Sequence, residues 1–319
     1  MSNKIKNLKE FSGGLSDPFP VDFRLNSKCN YNCWYCKDMK NNSYNDCVVD
    51  LDRLTNFVKA LNRRCAFFIY GGEPTLHPQI LDVVQTIKNA MTVESTVGIQ
   101  TNLSLSVDMI QSLRAIDPNL VLSVTYHHNE CDFKEFLGKC VLAKDLVQHI
   151  TVMYQSEFAD DILTKYKYLN MIFPKKGVSE LFPIMGSFNE NLEHSYKEMD
   201  SFYLDKKALS ISSSVGYSGS DLTATLEDGT SFKTNPNELW KNRENNFKDM
   251  MCNCSVDSIT IDYDGSVYKC FNEIFDSSCK SSYNLFTDDN PEDYLKSLTA
   301  MKCPYERCLF GAKYKKVSE

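Results

Sequence analysis

Six short apolar runs recur through the first part of the chain: Val21–Leu25, Ala66–Tyr70, Thr96–Gln100, Leu120–Tyr126, His149–Tyr154 and Glu180–Met185. Most begin 24 to 30 residues after the one before, the length of a strand–helix–strand unit. The gaps carry helical periodicity. Asp50 caps a predicted helix with Leu51, Leu54, Val58 and Leu61 on one face. Pro78 opens another bearing Ile80, Val84, Ile87 and Met91, and Ser106 caps a third with Val107, Ile110 and Leu113. Six such units in series predict an α/β fold with a parallel sheet, either curled into a partial (β/α)6 barrel or left open and doubly wound. The pattern alone does not separate the two.

The alternation stops near residue 190. Residues 187–251 are polar and irregular, apart from a predicted hairpin over Thr223–Phe232 that turns at Asp228 and Gly229. A second hairpin has Ile259 and Ile261 on one face and turns near Tyr263, Asp264 and Gly265. The expected organisation is a barrel over 18–190, a bridging segment over 191–251 and a small hairpin-containing domain over 252–319. Lys313, Lys315 and Lys316 read as a solvated tail.

A net charge of -7 argues against a large basic footprint for a nucleic-acid polymer or an anionic membrane. There is neither a signal-peptide core at the N-terminus nor an apolar run long enough to span a bilayer, so the expected location is the cytoplasm. Thirteen cysteines are out of keeping with that setting, where disulfide frameworks are disfavoured. Three crowd into positions 29–36 and six lie between 252 and 308, while Cys47, Cys65, Cys131 and Cys140 are scattered as ordinary thiols. Clustering of this kind suggests metal.

The first group, Cys29-Asn-Tyr-Asn-Cys33-Trp-Tyr-Cys36, follows directly on the first strand. Its spacing lets three thiolates converge on one iron–sulfur core and leaves a fourth iron without a protein donor. Structural zinc, with Cys47 or a distant residue as fourth ligand, is the alternative on spacing alone. The second strand then ends in Tyr70-Gly71-Gly72-Glu73-Pro74. Two glycines permit close backbone approach, and a carboxylate suits an ammonium group. Both motifs fall at the strand ends where parallel α/β folds gather ligand groups.

Together the two motifs closely resemble the radical S-adenosylmethionine (SAM) superfamily. The resemblance implies a partial TIM-like barrel and a [4Fe–4S] cluster on Cys29, Cys33 and Cys36. It also implies that SAM chelates the vacant iron, with Gly71, Gly72 and Glu73 toward its amino group and Tyr35 near its adenine. Thr125 is the best match to the family's SAM-contacting hydroxyl on the fourth strand, with Ser123 the runner-up. The implied chemistry is reductive cleavage of SAM to a 5′-deoxyadenosyl radical that abstracts hydrogen.

The second group is Cys252, Cys254, Cys270, Cys279, Cys303 and Cys308. Its glycine and cysteine spacing around Gly265 resembles the opening of the twitch and SPASM domains that accompany many radical SAM enzymes. The later cysteine run of a complete SPASM domain is absent. The resemblance therefore implies one auxiliary iron–sulfur cluster, on Cys252 or Cys254 together with Cys270, Cys303 and Cys308, with structural zinc as the alternative. Cys279 reads as a loop thiol.

Four thiolates would make that cluster an electron carrier, which favours oxidation of a small-molecule substrate. An external reductase, flavodoxin or ferredoxin would supply electrons. Modification of a peptide or protein is the second enzyme reading; the 28 residues before Cys29 are few for a leader-binding domain. Molybdopterin-precursor cyclase has a similar layout, but this chain ends Val317-Ser318-Glu319 without that family's Gly-Gly tail. A metal-binding redox sensor without turnover is the non-enzyme reading. For substrate contact or proton movement the sequence offers His127 and His128, with Gln100, Asn102, Tyr126, Tyr154 and Gln155 also expected at the strand ends.

Overall fold

The computed structural model describes residues 5–10, 18–34, 36, 47–174, 177–181, 222–234, 239, 242, 244, 246–276, 278–305, 308 and 316–317. The first strand, β1 (Ile5–Glu10), belongs to a second sheet; the apolar runs supply the next six. These are β2 (Phe19–Asn26), β3 (Cys65–Gly71), β4 (Thr96–Thr101), β5 (Val121–Tyr126), β6 (Val147–Met153) and β7 (Gly177–Leu181). They pair parallel and strictly in chain order. A doubly wound sheet reverses its strand order midway, so sequential pairing selects the partial barrel. The last strand lies at Gly177–Leu181, ahead of the expected Glu180–Met185, and residues 182–190 are outside the described set.

Helices α1 (Leu51–Leu61), α2 (Ile80–Ala90), α3 (Val107–Ile116), α4 (Phe133–Leu142) and α5 (Ala159–Ile172) occupy the crossovers. Asp50 caps α1 by accepting from the Arg53 N–H at 3.0 Å, and Ser106 caps α3 by accepting from Met109 at 3.2 Å. Alternate strand residues point to opposite faces. Phe23, Phe67, Ile99, Val124 and Ile150 enter the buried core with Leu54, Val84 and Leu113 of the helices. Full burial of a side chain of this size contributes roughly 1.5–3 kcal/mol. Residues of the other parity, among them Asp22, Arg24, Ser123, Thr125 and Thr151, leave the inner face polar.

The C-terminal part feeds both sheets. In chain order it contains β8 (Leu222–Leu226), β9 (Ser231–Thr234), β10 (Met251–Cys252), α6 (Cys254–Asp257), β11 (Ile259–Ile261), β12 (Ser266–Tyr268), β13 (Tyr283–Asn284), α7 (Pro291–Lys296), β14 (Met301–Lys302) and β15 (Lys316–Val317). Both expected hairpins form, as β8–β9 and β11–β12. The second extends the barrel sheet, because β11 runs parallel to β2 with Ile259, Thr260 and Ile261 opposite Val21, Asp22 and Phe23. A buried ion pair on the inner face supports this junction, with Arg24 Nη1 3.0 Å from Asp262 Oδ1. The other sheet has the order β14-β10-β15-β1-β8-β9. Lys316 therefore lies in a strand opposite Leu8 and Cys252, not in the solvated tail expected from its charge. Backbone hydrogen bonding outweighs local polarity there.

Gly265 turns the second hairpin at φ +85°, and a Cβ there would come 2.5 Å from the Phe286 ring. A left-handed residue with a side chain costs about 1–2 kcal/mol before any clash. Gly265→Ala is expected to lower stability by about 2–3 kcal/mol in urea unfolding, allowing for partial repacking. Among the described residues no helix is long and apolar enough to cross a membrane.

Candidate active site

Two packed glycines join the cysteine loop to the end of β3. A Cβ on Gly72 would lie 2.3 Å from the Lys28 carbonyl oxygen, and one on Gly71 2.3 Å from that of Asn26. That proximity lets the Gly72 N–H donate to Asn26 O at 3.1 Å and the Glu73 N–H to Lys28 O at 2.7 Å. The motif thus clamps the backbone that leads into Cys29.

Glu73 is fully buried. Its Oε1 accepts from the Thr75 N–H (3.1 Å), the Thr75 hydroxyl (2.5 Å) and the Thr101 hydroxyl (2.8 Å), and its Oε2 from the Asn102 N–H (2.7 Å). Burial pushes the carboxyl upward in pKa while these four donors pull it back. A carboxylate offers about four acceptor sites, two on each oxygen; three donors crowd Oε1 while one reaches Oε2, which keeps a site open. The side chain expected to receive an ammonium group also ties β3 to β4 from a buried position.

The residues between the cysteines hold the loop on its other sides. Asn30 Oδ1 accepts from Asn102 Nδ2 at 3.0 Å and from the Ser104 hydroxyl at 3.3 Å. The Asn32 N–H donates to Glu130 Oε2 at 3.0 Å, and Trp34 Nε1–H to Gln155 Oε1 at 3.2 Å. Asn129 Nδ2 shares that Gln155 oxygen at 3.0 Å. Cys33 and Cys36 pack with Tyr31 and Met153, while the Cys47 carbonyl pairs with His77 Nε2 at 3.2 Å. Burial pushes the Cys29 thiol up to about 11, so its thiolate forms readily only against positive charge such as iron.

The neighbouring histidines diverge. His127 Nδ1 lies 3.4 Å from Cys33 Sγ, and burial lowers its pKa to about 4. His128 Nδ1 instead lies 3.2 Å from both Lys165 Nζ and Asp161 Oδ2, over the Phe158 ring. It belongs to a polar cluster on α5. Tyr126 and Tyr154 are also displaced from the expected pocket: strand parity sends both into the core on the helix side, where Tyr126 meets Phe133 and Phe136. Ser123 and Thr125 share the inner face. The Thr125 hydroxyl is buried and has no hydrogen-bond partner among the described residues. Buried hydroxyls are seldom left so. Tyr35 lies outside the described residues.

At the other group, Cys252, Cys254, Cys303 and Cys308 are buried together, with Cys270 and Cys279 packed against them. Contact with Cys252, then with Cys270, and burial hold the Cys254 thiol well above its ordinary pKa. Both candidates for the first ligand position thus face the same group. Cys279, set aside on sequence grounds, joins it, with Sγ 3.2 Å from the Tyr305 hydroxyl. Motif spacing gave no signal for it; its position in the cysteine-rich segment was the only hint. Among the described residues no three His, Cys, Asp or Glu side chains gather around one point tightly enough for a single metal ion.

No family model matches the chain, and no curated protein matches it by sequence. Among solved structures, native anSMEcpe with bound AdoMet and Cp18Cys peptide superposes with a TM-score of 0.54 at 17% identity, over 87% of this chain and 82% of that one. The fold is that of the radical SAM enzymes. Weaker likenesses are to Streptococcus suis SuiB bound to precursor peptide SuiA (TM-score 0.42, 12% identity, 87% and 64% covered). BtrN in complex with AdoMet and 2-DOIA gives 0.38 at 14%, with 88% and 87% covered. In the radical SAM fold of this chain, the first cysteine loop lies at the carboxyl end of β2, where barrel chemistry is placed.

Proposed function

We propose that the chain is a radical SAM enzyme that oxidises a small-molecule substrate. The observation that carries this reading is the clamped loop bearing Cys29, Cys33 and Cys36 at the mouth of a partial barrel. The spacing of the three thiols suits a four-iron cluster with one iron left for AdoMet, and the Thr125 hydroxyl, on the inner face of the same barrel, suits a polar ligand. A [4Fe–4S] cluster held by Cys29, Cys33 and Cys36 would, when bound, supply the electron for reductive cleavage of AdoMet. The chain's own part is to hold the loop through Asn30, Asn32 and Trp34, to contact AdoMet through Thr125 and Ser123, and to present a polar inner wall to substrate. Hydroxyl and amide groups on that wall, from Ser123, Thr151 and Gln100, suit a small polar metabolite.

The second cysteine group supports the oxidative outcome. Cys252 or Cys254, with Cys270, Cys303 and Cys308, would hold one auxiliary cluster that accepts the electron left on substrate. None of the thirteen cysteines, all among the described residues, is in a disulfide; electrons would come from a flavodoxin- or ferredoxin-type donor. A second reading, peptide modification, is favoured by the Cp18Cys peptide bound to the structurally similar anSMEcpe.

The test is anaerobic reconstitution with iron and sulfide, then dithionite and AdoMet, with 5′-deoxyadenosine measured. Product is expected; none from a sample with a full iron complement would remove the enzyme reading. Deuterium carried from a labelled candidate substrate into 5′-deoxyadenosine then distinguishes small molecule from peptide. At the auxiliary site, Cys252→Ala and Cys254→Ala should differ in bound iron, only one losing about four atoms. Equal, undiminished iron in both would refute the four-thiolate set.

A further inference from the structure

We infer that His127 donates a hydrogen bond to the Cys33 sulfur and thereby raises the reduction potential of the cluster proposed for the first cysteine loop. The inference rests on that cluster reading and adds a tuning residue to it. His127 Nδ1 lies 3.4 Å from Cys33 Sγ, within reach of an N–H···S bond. A cysteine sulfur bound to iron is a thiolate and can only accept, so the ring proton belongs on Nδ1.

The ring is held there from two directions. Its backbone follows directly on Tyr126, anchored in the core by Phe133 and Phe136. The ring itself packs edge-on against Tyr31, with centroids 5.7 Å apart at 77°. Tyr31 lies between Cys29 and Cys33, so the loop and the histidine position each other. His128, one residue on, turns toward Asp161 and Lys165. The Cys29 sulfur receives its own donors, the Tyr31 N–H at 3.4 Å and, at 3.9 Å, Asn102 Nδ2. Donors aimed at cluster sulfurs stabilise the more negative, reduced state and so shift the potential upward. His127 is therefore a positioning and tuning residue, not a proton carrier.

Pulsed EPR on the reduced, reconstituted full chain labelled with [15N]histidine tests the contact without any substitution. The relevant cluster signal is the one missing from Cys33→Ala. That signal should carry a 15N coupling, which is lost in His127→Asn. A redox titration should show His127→Leu harder to reduce by about tenfold in the equilibrium constant, about 59 mV for one electron. His127→Asn retains an N–H donor and should stay near the wild-type potential. A Cys33-dependent signal without 15N coupling overturns the inference, as does an unshifted potential in iron-replete His127→Leu. If His127→Leu fails to load iron, the coupling in the labelled wild type decides. Absence of any Cys33-dependent signal refutes the cluster reading itself, and the tuning role falls with it.

Discussion

Alanine at Cys29, Cys33 or Cys36 is expected to abolish formation of 5′-deoxyadenosine, a loss of at least about 10³-fold, or about 4 kcal/mol of barrier. The reason is arithmetic in ligands. The loop offers three sulfurs, so removing one leaves a second iron exposed in the cluster and weakens the hold on all four. Backbone positions should survive, because the loop is also held by Asn30 on Asn102, Asn32 on Glu130 and Trp34 on Gln155. Far-UV circular dichroism should thus be unchanged while about four irons are lost and the iron of the Cys252–Cys308 group remains. A variant that keeps more than about a tenth of the wild-type activity would show that the loop does not hold the reactive centre.

Glu73→Ala should be among the most damaging substitutions to stability. It strands four buried donors from Thr75, Thr101 and Asn102 at once. Each unsatisfied buried group costs about 1–3 kcal/mol, and water entering the cavity would recover part of it. A net loss of about 4–6 kcal/mol in urea unfolding is expected, with failure to load the adjacent cluster. Glu73→Gln should be milder, near 3 kcal/mol, because its amide presents a donor where the pocket offers only donors. If Glu73→Ala unfolds like the wild type, the tie between β3 and β4 is energetically idle, and the carboxylate would then be available to a ligand.

Much of this architecture was legible because its determinants are periodic. Short apolar runs at strand–helix–strand spacing marked the barrel strands, the last of them set too late at Glu180–Met185 for Gly177–Leu181, and Asp50 and Ser106 announced their helices through local capping. The choice between barrel and open sheet was not legible, since strand order is a long-range property decided by pairing. Nor was the use of β11 as an extension of the barrel beside β2. At the site, spacing singled out the cysteines and glycines, yet it said nothing of what the intervening residues touch. Asn30, Asn32 and Trp34 find partners some 70 to 120 positions away in sequence. Strand parity, applied strictly, would have sent Tyr126 and Tyr154 to the helix side with Val124 and Val152. Cys279 reaches its group through tertiary packing alone.

The parallel register of β11 on β2 carries a rule of parity. Asp262 faces Arg24 only because Ile259 sits opposite Val21; a slip of one residue would turn Ile261 inward and bury Asp262 against the helices. The frame of β11 is therefore set, residue by residue, against the strand that ends at the first cysteine loop. Grafts or chimaeras that exchange the C-terminal segment can vary the connections beyond β12, but a one-residue insertion within residues 259–262 should uncouple the two halves of the molecule.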